Sequence, residues 1–394
     1  MPGTQGQEVR QLLLPDLGRK KALSMKKSVL FAFALLLGAL GMISCEKNAG
    51  TDTPGPDAAV DRRALLTYWA DSLMKPGYQR LNDKLVVLKA KTTAFTAAPS
   101  QATLQEARDA WQLAYVEWQK VEMFEVGPAE QASLRNHFNI YPADVTGINN
   151  NISTGSYNFE LSTAIPQQGF PALDYLLNGS AADDAAIAQL FATSANHRRY
   201  LTDVVTEMEQ TFGTVYTQWN GSYRDTFIAN TGTDASSSLS RVINAYSQYF
   251  ERYLRAGKVG IPAGVMTGTP LPAKMEAYYF RGGLPLQLAL TAHTAVQKFF
   301  NGRAGQPSLK SYLDALGAKD SRTGQALSSL ISTQFDASYQ QLYSLSPDLY
   351  TALTARNADA VASYNEMQKA VRMIKVDMTS ALGITVTYVD NDGD

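Results

Sequence analysis

The chain has 394 residues, 45% of them hydrophobic, and its 35 basic and 36 acidic side chains leave a formal charge of −1. That balance lacks the basic footprint a phosphate backbone demands, so no nucleic-acid partner is expected. Its one cysteine, Cys45, excludes disulfides within the chain, zinc–thiolate centres and haem attached through paired cysteines.

Met25 is a second candidate start. It is followed by Lys26 and Lys27, an apolar run from Val29 to Gly41, and then Met42-Ile43-Ser44-Cys45. A basic flank, an apolar stretch too short to span a bilayer and small residues before a cysteine read as a bacterial lipoprotein signal. Residues 1–44 are therefore expected to be an over-extended start plus signal peptide, with Cys45 carrying lipid; the alternative is a buried thiol behind a cleaved secretory signal. Without residues 1–44 the formal charge becomes −5, so membrane attachment rests on the acyl chains. Residues 45–58, with Gly50, Pro54, Gly55 and Pro56, read as a flexible tether.

From Val60 onward the apolar periodicity is helical almost throughout. Ala64, Leu65, Tyr68, Trp69 and Leu73 lead to an interruption expected at Pro76-Gly77, and Tyr78, Leu81, Leu85 and Leu88 continue towards Phe95. Leu104, Ala107, Trp111, Ala114, Trp118 and Val121 form the clearest stripe, with Glu122 one turn past Trp118 and Gly127-Pro128 as its end. In Tyr141-Pro142-Ala143-Asp144 the proline disfavours a helical Tyr141, and Asp144 is placed to cap the next element.

Gln168–Gly179, reading QGFPALDYLLNG, joins a loop to a helix start. Gly169 tolerates unusual backbone angles, Pro171 suits a first turn, and Asp174 is expected in that turn, where free N–H groups favour a carboxylate. A helix then runs from His197 to Trp219, and Asn230–Ser238 reads as a boundary. The second half opens with a helix from Leu239 to Ala256, stopped at Gly257. Lys258–Pro272 is then a long Gly/Pro-rich connection without the Gly-Lys-Ser/Thr of a phosphate loop. Glu276–Phe300 reads as helix broken at Gly282-Gly283-Leu284-Pro285, a weak echo of Gly169-Phe170-Pro171. Later helices are expected near Leu309–Leu316, Arg322–Leu342 and Ala358–Leu382, before an extended tail, ITVTYVDNDGD. The fold class is all-α: two antiparallel helical bundles related by duplication, spanning residues 59–229 and 230–394.

No His-Glu-x-x-His is present, and His137, His197 and His293 are too far apart in sequence to share one helical face. A metal site would therefore be built mostly from oxygen, suited to a hard cation such as ferric iron or calcium. No Gly-x-Ser-x-Gly turn supports a hydrolase, and the aromatic residues fall at core spacing rather than outlining a haem box.

Several segments in succession resemble the imelysin-like family of bacterial envelope proteins: RDAWQLAYVEWQKVEMFEVGP (Arg108–Pro128), IYPAD (Ile140–Asp144), GFPALDYLL (Gly169–Leu177) and KVGIPAG (Lys258–Gly264). The resemblance spans about Val60 to Leu382. It implies two bundle domains with a site near their interface and a place in iron or haem acquisition; some members are classed as peptidases. The family signature Gly-x-His-x-x-Glu is matched at Gly169, but Pro171 stands for its histidine and Asp174 for its glutamate. Glu122 matches the glutamate after the tryptophans and Asp144 the proline-then-aspartate segment.

The resemblance thus implies a ligand site of Gly169, Phe170, Pro171, Asp174, Glu122, Asp144 and Tyr141, with Arg135 and Glu276 nearby and Asp174, Glu122 and Asp144 as metal ligands. The bland alternative is capping and pairing by the three carboxylates. The functional expectation is a lipid-anchored protein, on the outer membrane facing the periplasm or cell surface, that binds iron or another small ligand at an inter-domain cleft. Alternatives are a scaffold docking on an outer-membrane transporter or another envelope lipoprotein, and a metal-dependent peptidase.

Overall fold

In the computed structural model residues 61–388 are described, so the signal, Cys45, the tether and the last residues of the tail lie outside the described residues. The described residues belong to one compact unit of helices and turns, with one isolated antiparallel bridge, between Lys319 and Ala326. The all-α expectation holds. The helices that frame the site are α1 (Arg62–Tyr68), α2 (Lys75–Ala97), α3 (Gln101–Gln119), α4 (Gly169–Asn178), α5 (Ala195–Asn220), α6 (Ser238–Gln248), α7 (Leu284–Asn301), α8 (Leu327–Tyr343) and α9 (Asn357–Arg372).

The α3 helix begins at a reciprocal cap, in which Ser100 Oγ accepts the Thr103 N–H at 3.2 Å and Thr103 Oγ1 accepts the Ser100 N–H at 3.1 Å. Its Leu104, Ala107, Trp111, Ala114 and Trp118 are buried, as the periodicity requires. The short turn at residues 98–100 folds α3 back along α2, and α2 packs on α5 as well. In the second half α8 packs on α7 and α9, and α7 also packs on α3. α1 lies against Tyr223–Ala229 and α6, so contacts cross the 230–237 connection. No helix among the described residues is long and apolar enough to cross a membrane.

Three local expectations are corrected. Pro76-Gly77 does not interrupt the first helical run: α1 continues through a π-helical segment, Trp69–Met74, into α2, and Pro76, which has no N–H to give to the ladder, follows directly after that segment. Nor does Gly257 stop α6, which continues as the π-helix Tyr249–Gly260. Gly257 serves close approach instead, since a Cβ there would sit 3.0 Å from the Tyr141 hydroxyl. Residues 276–283 are turns rather than helix, and α7 begins at Leu284 with Pro285 in its first turn. The tail is pinned through Asn244, whose Nδ2 donates to the Thr385 carbonyl at 3.0 Å and whose Oδ1 accepts the Thr387 N–H at 2.8 Å.

Candidate functional site

The Gln168–Gly179 stretch is almost wholly buried. Gly169 has φ +74°, and a Cβ there would lie 2.4 Å from the Phe138 carbonyl oxygen and 2.7 Å from that of His137. Only glycine accepts both the angle and the approach. Phe170 stacks on Tyr115, with ring centroids 4.4 Å apart and planes 5° from parallel, and its carbonyl accepts the Trp111 indole N–H at 3.2 Å. These two residues seat α4 against α3.

Asp174 is the sixth residue of α4, not a first-turn residue, so the N–H groups it binds are not those of its own helix. Its Oδ2 accepts the Tyr279 N–H at 2.8 Å, and its Oδ1 accepts the Phe280 N–H at 2.9 Å and Asn178 Nδ2 at 3.2 Å. The carboxylate thereby fastens the 276–283 turn, in which Ala277 (φ 50°) and Arg281 (φ 58°) hold angles that side chains rarely adopt. Burial pushes the Asp174 carboxyl up to about 7, against the lowering effect of these three donors.

Glu122 follows α3 and is buried in a cluster drawn from four segments. Its Oε2 accepts the Tyr249 hydroxyl at 3.0 Å and the Lys258 ammonium at 3.2 Å, and its Oε1 accepts Asn139 Nδ2 at 2.9 Å. Lys258 Nζ also donates to Glu276 Oε1 at 2.6 Å, and all three charged side chains are 1–2% exposed. Glu276 Oε1 further accepts Asn139 Nδ2 at 2.7 Å and Gln119 Nε2 at 3.3 Å, while its buried Oε2 has no hydrogen-bond partner among the described residues. Burial raises the Glu276 carboxyl against the opposing pull of Lys258. The cluster is thus an ammonium held between two carboxylates, one of them driven towards its neutral form.

Arg135 donates to the Glu122 carbonyl at 2.9 Å, and its guanidinium lies 3.9 Å from the Tyr253 ring centroid. Tyr141 stands beside the cluster: burial, then the charges of Glu276 and Glu122, push its phenol well above the ordinary range. Asp144 has another job. It caps Val145–Thr154 by accepting the Gly147 N–H at 3.0 Å, and its second oxygen accepts Gln167 Nε2 at 2.9 Å.

A cavity of about 220 Å³ brings together Tyr141, Pro171 and Asp174 with Lys274, Tyr278 and Tyr279. Met275 and Ala277, which flank Glu276, also line it, so its wall backs onto the buried cluster. Lys274 is exposed at its rim.

The carboxylates expected as metal ligands are not gathered into a cage. Asp174 spends both oxygens on backbone N–H groups, Asp144 caps a helix, and beside Glu122 the position of a cation is taken by Lys258. Among the described residues no group of three or more His, Cys, Asp or Glu side chains is placed to hold a metal ion. The residues present therefore do not fit a resident metal at the signature position, where the Pro171 side chain has no ligating atom to offer.

Lys258, Asn139, Tyr249, Tyr115 and Gln119 belong to the site although none is singled out by the sequence. Their partners lie from 17 to 161 residues away. The one local signal is a lysine inside the otherwise uncharged run AGKVGIPAG.

A family model described as imelysin, Peptidase_M75, matches residues 74–376, most of the chain. Iron-regulated protein A of Synechococcus elongatus is 23% identical over 187 residues, which cover 46% of this chain and 49% of that protein. The chain therefore spans about half the length of this curated relative. Two crystal structures share the fold at a TM-score of 0.64: one described as an iron-regulated protein A precursor from Parabacteroides distasonis, the other an imelysin-like protein from Psychrobacter arcticum. The first covers 84% of this chain and 97% of its own at 19% identity, the second 83% and 97% at 18%; at these identities the likeness shows the fold alone.

Proposed function

The chain belongs to the imelysin family, and we propose that it is a lipid-anchored envelope protein with an iron-related role that binds an anionic iron complex or a similar small organic ligand. The observation that carries this reading is the cavity where Pro171 and Asp174, at the family's signature position, meet the phenols of Tyr141, Tyr278 and Tyr279 and the ammonium of Lys274. Phenols and an exposed ammonium recognise carboxylates or other oxyanions of a chelate. A bare ion is disfavoured, because the buried carboxylates already have their cation in Lys258. The name of the Synechococcus relative supports the association with iron.

The test is calorimetric titration of ferric citrate, and of citrate alone, into the chain beginning at Glu46. Binding that falls at least tenfold in Tyr278→Ala and Lys274→Glu supports the reading. Absence of binding by both probes would overturn it in favour of the scaffold that docks on an outer-membrane transporter or another lipoprotein. Anchoring at Cys45 has its own test: palmitate incorporation in a bacterial host, lost in Cys45→Ala.

A further inference from the structure

A larger cleft, of about 770 Å³, lies apart from the cavity above and shares no lining residue with it. Its walls are the Trp69–Met74 segment, the turn after α3 and one face of α7. Leu73, Met123, Phe124, Leu290 and Phe299 make an apolar floor. Arg80, Lys120, Lys298 and Arg303 stand around it, and no aspartate or glutamate is among the described lining residues. Glu117 offsets two of these cations, pairing with Lys120 at 2.5 Å and with Arg80 at 3.6 Å. Lys298 and Arg303 are exposed and have no ion-pair partner among the described residues, so their charge faces the opening unneutralised.

A volume in the range of small-molecule sites, an apolar floor and a rim of one sign describe the ligand by complement. We propose that this cleft binds an amphipathic organic anion, its apolar body on Phe124, Leu290 and Phe299 and its acidic head against Lys298 and Arg303. A cation of the same shape gains the same apolar contact but meets the unneutralised charges of Lys298 and Arg303. The sign of the head group, not greasiness alone, therefore sets the preference. This site is independent of the cavity at Asp174.

The test uses the purified full chain and two probes with the same twelve-carbon tail, laurate and dodecyltrimethylammonium, each titrated calorimetrically below its micelle concentration. The expected result is one laurate per chain, bound at least tenfold more tightly than the ammonium. Lys298→Glu/Arg303→Glu should weaken laurate at least tenfold and remove or reverse the preference. Both residues are exposed, so far-UV circular dichroism should be unchanged. Thr294→Trp, which plugs the cleft without altering charge, should weaken both probes, and Tyr278→Ala at the other cavity should leave both unaffected. Equal binding of the two probes, no laurate binding, or laurate binding unmoved by the charge reversal would overturn the proposal.

Discussion

The ammonium of Lys258 and the carboxylate of Glu276 lie 2.6 Å apart, each 2% exposed, with Glu122 completing the contact on the other side of the lysine at 3.2 Å. Removing one partner of a buried ion pair leaves charge without compensation, whereas replacing the whole set by apolar or neutral groups relieves the desolvation cost. Lys258→Met should therefore destabilise by about 3–5 kcal/mol in urea unfolding. The triple variant Glu122→Gln/Lys258→Met/Glu276→Gln should recover most of that loss, a non-additivity that three independent surface charges would not show. The Lys258→Met penalty should also be smaller at pH 5 than at pH 8, because the Glu276 carboxyl, already raised by burial and now without the opposing pull of Lys258, can take up a proton.

Asp174 gives a pH dependence of its own. Its folded-state pKa of about 7 lies above the unfolded value, so between the two the native state holds a proton that the unfolded chain has released. Stability from this group is fully present below about pH 4 and lost as pH rises through 7, a fall on the order of 4 kcal/mol in all. Asp174→Asn removes the titration. The stability advantage of the native sequence over this variant should be greatest near pH 4 and shrink towards pH 8 in thermal melts.

Gly169→Ala should cost about 1–3 kcal/mol, from overpacking and an unfavourable backbone angle together. The added Cβ meets the Phe138 and His137 carbonyl oxygens, which belong to backbone and cannot swing aside. The same substitution at Gly213, where a Cβ meets nothing within 4 Å, should be neutral or slightly stabilising. Comparing the two melting temperatures separates the conformational role of Gly169 from a general sensitivity of helical glycines.

The helices, their apolar faces and the family were legible in the sequence because they rest on local spacing: the stripe from Leu104 to Trp118 is buried as its period demands. The site was legible in part. Glu122, Asp174, Tyr141 and Glu276 stood out as carboxylates or phenols near proline and tryptophan landmarks. The role of each one depended on partners supplied by the fold. Asp174 looked like a helix-start carboxylate, yet its N–H donors come from Tyr279 and Phe280, more than 100 residues away. Lys258 was hidden for a further reason. Glycine at 257 and 260 signalled the end of a helix, while the chain kept a π-helical path that turns the lysine inward.

Asp144→Ala should cost about 1 kcal/mol, the usual loss for an N-cap. Because Asp144 serves Gly147 and Gln167 rather than the cavity, the affinity for ferric citrate should be unchanged. A tenfold loss of affinity in this variant would return Asp144 to the ligand site.

Glu122 and Glu276 have their counter-charge in Lys258 rather than in a metal ion, and Asp174 is held by backbone N–H groups rather than by a metal ion. Elemental analysis of the purified protein, combined with calorimetric titration of ferric, ferrous, zinc and calcium ions, tests this most directly. No bare ion should bind in stoichiometric amount, and Asp174→Ala should leave that result unchanged. One ion per chain, lost in Asp174→Ala or Glu122→Gln while the protein remains folded, would contradict it.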